Sequence, residues 1–199
     1  MDPVYFMLMS RDSLLRELEV YRPADAREAA MVAELAAFVR MHRACFERSL
    51  AIGHVTASAW VIDERRTHAL LTHHRKLDRW LQLGGHADGE DDLRRVALRE
   101  AQEESGLTAI RFATQAIYDI DVHAIPARPA EPAHKHYDVR FALVADRAAP
   151  TVVSDESHEL AWLPIADLAG PGTDASVGRL ARKTRSLPPF ADRESESIT

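Results

Sequence analysis

GHADGEDDLRRVALREAQEESGL, residues 85–107, is the stretch on which the reading of this 199-residue chain turns. From Asp92 to Ser105 it has the composition of a strong helix, and Gly106 stands where a left-handed C-terminal cap would end it. At about 100° per residue, with Leu93 set to zero, Val96 falls at about −60° and Ala97 at about +40°. Glu100 then lies at about −20°, Glu104 at about +20° and Glu103 at about −80°. The three carboxylates therefore continue the stripe that Leu93, Val96 and Ala97 begin, while Arg95, Arg99 and Gln102 lie on the far side. An amphipathic helix buries that stripe against its sheet, yet its last turns carry three like charges. Glu100 and Glu104 are i,i+4 neighbours that repel. Carboxylates crowded on a partly buried face need a partner or take up protons. An oxygen-rich set suits a hard cation such as Mg²⁺ or Mn²⁺. The plain alternative is a solvated acidic helix end; the face count speaks against it, as does the preceding Gly84-Gly85 pair, which lets backbone approach a ligand closely.

The same segment resembles the Nudix box: Gly, five residues, Glu, seven residues, then Arg-Glu-apolar-any-Glu-Glu-any-Gly-apolar. Gly85, Arg99, Glu100, Ala101, Glu103, Glu104, Gly106 and Leu107 match at the family's spacing. Asp91 stands where the first Glu is usual, keeping the charge and shortening the reach. The resemblance implies an α/β fold, a Nudix-like α/β/α sandwich with a mixed sheet, and hydrolysis of a diphosphate linked to another group. It further implies that Glu100, Glu103 and Glu104 bind Mg²⁺ or Mn²⁺, with the Gly85 carbonyl completing the shell and Arg99 orienting the carboxylates. Glu103, at the edge of the stripe, is the candidate general base. Related enzymes often draw a base or ligand from a downstream loop; Glu156, in the acidic run SDESHE (residues 154–159), is the candidate, against a plain turn entering a strand.

Outward from the box, the chain divides into a helical arm (residues 1–50), a Nudix domain (51–186) and a tail (187–199) expected to be disordered. In the arm, Leu14, Leu15 and Leu18, then Met31, Leu35, Phe38 and Val39, recur with helical spacing. Pro23 breaks the two helices apart, and Asp25 is a plausible N-cap for the second. Residues 54–62 (HVTASAWVI) and 69–73 (ALLTH) read as a hairpin around a polar turn. Residues 81–90 read as a glycine-bearing loop. Strands are expected over 114–125 and 136–145, separated by a proline-rich loop. A short strand entering a helix is expected over 162–168, and a terminal helix over 177–185.

Ten histidines invite separate weighing. His134 and His136 alternate, which sends both rings to one face of a strand, and His123 comes near them if the neighbouring strands pair. Such a set could hold a transition metal or contact substrate phosphate; single surface histidines are the plain alternative. His86, beside the glycine pair, is expected to face a cleft and contact substrate.

Lys and Arg number 25 against 31 Asp and Glu, a net charge of −6. That balance lacks the basic footprint of a duplex-binding protein, though a bound cation still permits a small anionic substrate. Cys45, the one cysteine, can form no internal disulfide and is expected to pack on a buried helix face. No apolar run reaches the ~18 residues of a membrane span, and the N-terminus lacks a basic leader, so a cytoplasmic location is expected. The leading expectation is thus a pyrophosphohydrolase acting on a nucleoside diphosphate derivative, with no membrane or duplex nucleic-acid partner and a homodimer possible through the apolar arm. A Nudix-fold isomerase of a prenyl diphosphate is one alternative; it should carry a core cysteine, whereas Cys45 lies in the arm. A non-catalytic nucleotide-binding Nudix domain is another, although the arm lacks the basic surface of a DNA-binding module.

Overall fold

The structure, a computed structural model, describes residues 11–75, 77–129, 131–153, 157–170 and 173–187. Its spine is the parallel pair of β1 (Gly53–Ile62) and β7 (His134–Ala145), in register from Gly53↔Lys135 to Ile62↔Val144. Every residue of β1 is buried. The antiparallel strands β2 (His68–His74), β3 (Arg79–Leu81) and β8 (Ser157–Pro164) extend the β1 side, with β3 and β8 both paired to β2. On the β7 side, β5 (Ile110–Phe112) and β6 (Asp119–Ile125) pair antiparallel with it. Finally β4 (Leu83–His86) pairs antiparallel with β1, so the described residues form one mixed, eight-stranded sheet.

Side chains alternate across a strand, and the two faces of β1 meet different layers. Val55, Ala57, Ala59 and Val61 share one core cluster with α1 (Arg11–Val20), α2 (Ala26–Met41) and α3 (Leu93–Ser105). Trp60 and Ile62 share another with α4 (Ile165–Leu168) and α5 (Ala175–Lys183). The result is the expected α/β/α sandwich. Asp25 caps α2 by accepting the Glu28 N–H, and Gly106 ends α3 at φ 71°. The arm contributes Leu14, Leu18, Leu35, Phe38 and Val39 to the same core as α3, and the Phe38 ring stacks on Tyr137 at 4.0 Å. These five arm residues are thus buried within the chain, while Val20 and Met41 of the arm stay exposed.

Several elements differ from expectation. Residues 83–86 form a strand and not a loop, because the glycines that lower strand propensity also let it run close to its neighbours; a Cβ on Gly84 would stand 2.4 Å from the Ser58 hydroxyl. Strand β6 begins at Asp119 instead of 114, and β5 arises from the short Ile110–Phe112 segment. Strands β7 and β8 start earlier than expected, at His134 and Ser157. Cys45 is buried, but in a turn following α2 and not on a helix. Leu187 belongs to the core, and its carbonyl accepts from Arg66 at 2.6 Å; the rest of the expected tail lies outside the described residues. None of the described helices is long and apolar enough to cross a membrane.

On the α5 side the sheet interior is polar. Asp119, wholly buried, accepts from Arg179 at 2.9 and 2.8 Å, from Arg140 at 3.3 Å and from Lys183 at 3.0 Å. Burial alone would raise the pKa of Asp119, but the Arg179 hydrogen bonds and the charges of Arg140 and Lys183 hold it below the usual carboxylate value. Asp121 is held down in the same way, against burial, by His123, Arg140 and Arg179. Lys183 also reaches Glu28 at 2.7 Å, and Tyr21 donates to Glu28, which ties the arm to α5. Removing one member of such a network leaves a buried charge less compensated, at a cost of about 3 kcal/mol. Arg179→Met is therefore expected to lower unfolding stability by about that amount in urea denaturation, while exposed Arg182→Ala changes it by less than about 0.5 kcal/mol. Equal effects of the two substitutions would show that the network adds nothing.

Candidate active site

Helix α3 starts at Asp92, whose carboxylate accepts the N–H groups of Arg94 and Arg95. Its buried residues are Leu93, Val96, Ala97, Ala101 and Ser105. The buried face thus drifts, toward the C-terminus, to the side of Ala101 and Ser105, which at about 100° per residue is away from Glu103. Glu100 accordingly has a side chain only 14% exposed, whereas that of Glu103 is 60% exposed. Glu104 lies between them, half-buried, with its Oε2 shut off from solvent. The expectation that all three carboxylates share the buried stripe fits Glu100 and Glu104 and fails for Glu103.

Arg99 organises the group. Its Nη1 lies 2.8 Å from Glu100 Oε1 and 3.2 Å from Glu103 Oε2, and its Nη2 donates to the His86 carbonyl at 3.3 Å. Gly85 packs directly on Glu100: a Cβ there would meet the carboxylate at 2.5 Å. A side chain at this position would have to displace the Glu100 carboxylate, and glycine instead brings a backbone peptide onto a half-enclosed carboxylate. Oxygen donors of this kind fit a hard divalent cation. The oxygens of Glu100, Glu103 and Glu104 do not all come within 4.8 Å of one another; among the described residues the one trio of potential ligands that does is His54, His86 and His136. Arg99 instead draws Glu100 and Glu103 to itself.

Asp91, in the position of the family's first Glu, lines a cavity of about 540 Å³ together with Arg11, Arg43, Glu47 and Gly89. Arm residues hold the loop between β4 and α3: Arg48 pairs with Asp88 at 2.7 Å, and Gly89 N–H donates to the Phe46 carbonyl at 3.0 Å. Glu156 lies outside the described residues. Cys45 is fully buried, which pushes its thiol up to about 11 and leaves it no thiolate chemistry near neutral pH.

A sequence model of the NUDIX domain matches residues 53–182 of the chain. The chain belongs to the Nudix family. That membership makes it a Nudix-type pyrophosphohydrolase, and members of the family generally use divalent metals. Solved structures agree on the fold. An Ap4A hydrolase from C. elegans, in a binary complex, is 18% identical with a TM-score of 0.54, covering 66% of this chain and 95% of its own. The Nudix hydrolase RenU from M. smegmatis is 22% identical, TM-score 0.51, with coverages of 68% and 89%. A dihydroneopterin triphosphate pyrophosphohydrolase from E. coli is 15% identical, TM-score 0.50, with coverages of 65% and 92%. No curated protein sequence matches the chain significantly.

The histidines gather on the other face of the sheet from α3. His54 lies opposite His136 in the β1–β7 register, and His136 opposite His123 in the β6–β7 register. His86 pairs with Thr56, two residues along β1 from His54. The expected group of His123, His134 and His136 is therefore brought together, with His86 beside it. His54 escaped sequence reading, because nothing local in an apolar strand marks it; only its cross-strand partner does. His123 is engaged by Asp121 at 3.0 Å. Burial, then the fields of His86 and His134, lower His54 from 6.5 to about 4. His136 falls to about 2 for the same reasons, and burial followed by Arg48 lowers His86.

The unfolded chain therefore takes up protons between pH 6.5 and about 4 that His54 in the folded chain refuses, so stability falls as pH drops through this window. The depressed Asp119 and Asp121 act separately, their contribution being lost only as pH falls below their ordinary value of 3.8. In a chelating buffer, Tm is expected to fall between pH 7 and pH 5, and His136→Gln to flatten that fall. A Tm constant over this range would show that the imidazoles stay protonated or exposed.

Proposed function

We propose that the chain is a Mg²⁺- or Mn²⁺-dependent hydrolase of a diphosphate linkage in a nucleoside diphosphate derivative or a related small molecule. Glu100, Glu103, Glu104 and the Gly85 carbonyl are the donors for the cation, and Arg99 is their positioning residue. The observation that carries this reading is the cradle itself. Glu100 is pressed between the side-chain-free Gly85 and the Arg99 guanidinium, at a distance of 2.8 Å from the latter. A solvated acidic helix end would need neither a glycine contact nor a shared arginine. The structural neighbours named for Ap4A and for dihydroneopterin triphosphate support a phosphoanhydride as the bond attacked.

When bound, a divalent ion supplies charge neutralisation on the diphosphate and acidifies a coordinated water. The protein's own part is positional and basic. Arg99 offsets the repulsion between Glu100 and Glu103 and fixes both against the His86 carbonyl. Glu100, half-enclosed, presents its carboxylate between the Gly85 peptide and the Arg99 guanidinium. Glu103, more exposed, offers an oxygen that water can reach, and takes the proton.

Screening nucleoside diphosphate sugars, dinucleoside polyphosphates, coenzyme A, NAD and oxidised nucleotides with Mg²⁺ or Mn²⁺ tests this assignment. Glu103→Gln is expected to reduce kcat by about 10²–10⁴-fold, and Glu104→Gln to raise the metal concentration needed for half-maximal rate. Turnover within a few fold of wild type in both variants would remove the carboxylates from the mechanism. Gly85→Ala is a separate probe: its methyl displaces the Glu100 carboxylate, so activity should drop at least tenfold while the circular dichroism spectrum stays native. Full activity in Gly85→Ala would mean that the contact is incidental.

A further inference from the structure

A second donor set begins one residue after Gly85, and its chemistry differs. The ligating nitrogens of His54, His86 and His136 all lie within 4.8 Å of one another. Their rings are mutually close, with centroids 4.8 to 5.1 Å apart. His134 adjoins them, its Nε2 3.2 Å from that of His136. Three of these residues come from the paired strands β1 and β7, and His86 from β4.

His54 is the informative member. It is 2% exposed, and neither ring nitrogen has a hydrogen-bond partner of good geometry, the Leu50 backbone offering at most a weak one. A buried polar side chain without a good partner is costly, and an ion is one way such a group is satisfied. His134 is oriented to match: its Nδ1–H donates to the Pro132 carbonyl at 2.9 Å, which leaves Nε2 as a lone-pair donor facing His136. On a tetrahedral Zn²⁺, with Zn–N of about 2.0–2.1 Å, neighbouring nitrogens stand about 3.3 Å apart. The His134–His136 pair already has that spacing. Arg48 donates to His86 Nδ1 at 2.7 Å but also holds Asp88, so it can release the ring and keep its carboxylate.

We propose that His54, His86 and His136, with His134 as the fourth ligand, form a Zn²⁺ site separate from the carboxylate site of the box. Imidazole nitrogen favours a borderline ion such as Zn²⁺ over the hard Mg²⁺ that oxygen donors take. The site would pin the end of β4, a four-residue strand, to the β1–β7 spine. Because the His86 carbonyl also receives Arg99, the ion would brace the strand against which the box arginine is set. The site does not depend on the diphosphate reading.

The chain, stripped with chelator and dialysed, is titrated with Zn²⁺ by calorimetry and with Co²⁺ by visible absorption, with Mg²⁺ as comparison. One equivalent of Zn²⁺, a raised Tm and the ligand-field bands of four-coordinate Co²⁺ are expected, all retained in a Glu103→Gln, Glu104→Gln double variant. His86→Ala and His136→Ala are each expected to weaken Zn²⁺ binding at least tenfold, and exposed Arg95→Ala to leave it unchanged. Should His136→Ala, in the long central strand β7, fail to fold, His86→Ala, at the end of the short strand β4, gives the same reading. The site is overturned by the absence of a stoichiometric ion, by histidine variants that bind within twofold of wild type, or by binding that vanishes only with the box glutamates.

Discussion

The parallel pairing of Gly53–Ile62 with residues 135–144 is the constraint on which the other parts rest. A parallel pair buried on both faces needs helices on both sides, and here the arm and the box helix cover one face while α4 and α5 cover the other. Each strand then recruits its own antiparallel neighbours, β2 and β4 on one, β5 and β6 on the other. A slip of one residue would exchange the faces of β1. It would turn Val55, Ala57 and Ala59 away from α3 and place His54, Thr56 and Ser58 in the apolar core. The register is therefore enforced by the full length of both strands, and it sets His54 across from His136.

The polar face of this pair is unusual for an interior, and its satisfaction explains why α5 docks as it does. Asp138 accepts from Thr56, Ser58 and Arg140, and Arg140 passes the network on to Asp119 and Arg179. An ionic cluster of this type adds little net stability over well-packed apolar residues, but breaking it is costly. What it supplies is orientation: Arg179 and Lys183 can meet Asp119 only if α5 lies in one rotational setting, and Lys183 fixes the start of α2 through Glu28 in the same act. The arm is thus joined to the far layer by charge and to the near layer by apolar packing.

Local signals account for what was legible in the sequence. Helix α3 announced itself by periodicity, by Gly106 and by the spacing of Arg99, Glu100, Glu103 and Glu104; the arm helices did so by Pro23, Asp25 and their leucines. Strand β4 was hidden because Gly84 and Gly85 read as loop residues, although each is glycine to permit close strand or helix approach. His54 and the Asp119–Arg140–Arg179 network were hidden for a different reason. Their meaning lies in partners on other elements, 21 residues away for Asp119 and Arg140, 60 for Asp119 and Arg179, and across the β1–β7 pairing for His54 and His136, and no local pattern carries such pairing. The exposure of Glu103 is not legible in a helix count, which assumes a buried face of constant direction, whereas Ala101 and Ser105 turn it.

Strand β4 separates two kinds of ligand chemistry by one residue. Gly85, opposite Ala57, faces the box helix and meets Glu100; His86, opposite Thr56, faces the other side and meets His54 and His136. Alternation along the strand puts oxygen donors on one face of the sheet and nitrogen donors on the other. As the two proposed metal sites, the sets would not compete for one cation, since donor hardness would discriminate between them. The Arg99 guanidinium links them: it binds two carboxylates of the first set and the carbonyl of a residue in the second. A shift of β4 by even a fraction of an ångström would alter both Gly85 against Glu100 and His86 against Arg99, so a brace on this short strand acts directly on the geometry of the box.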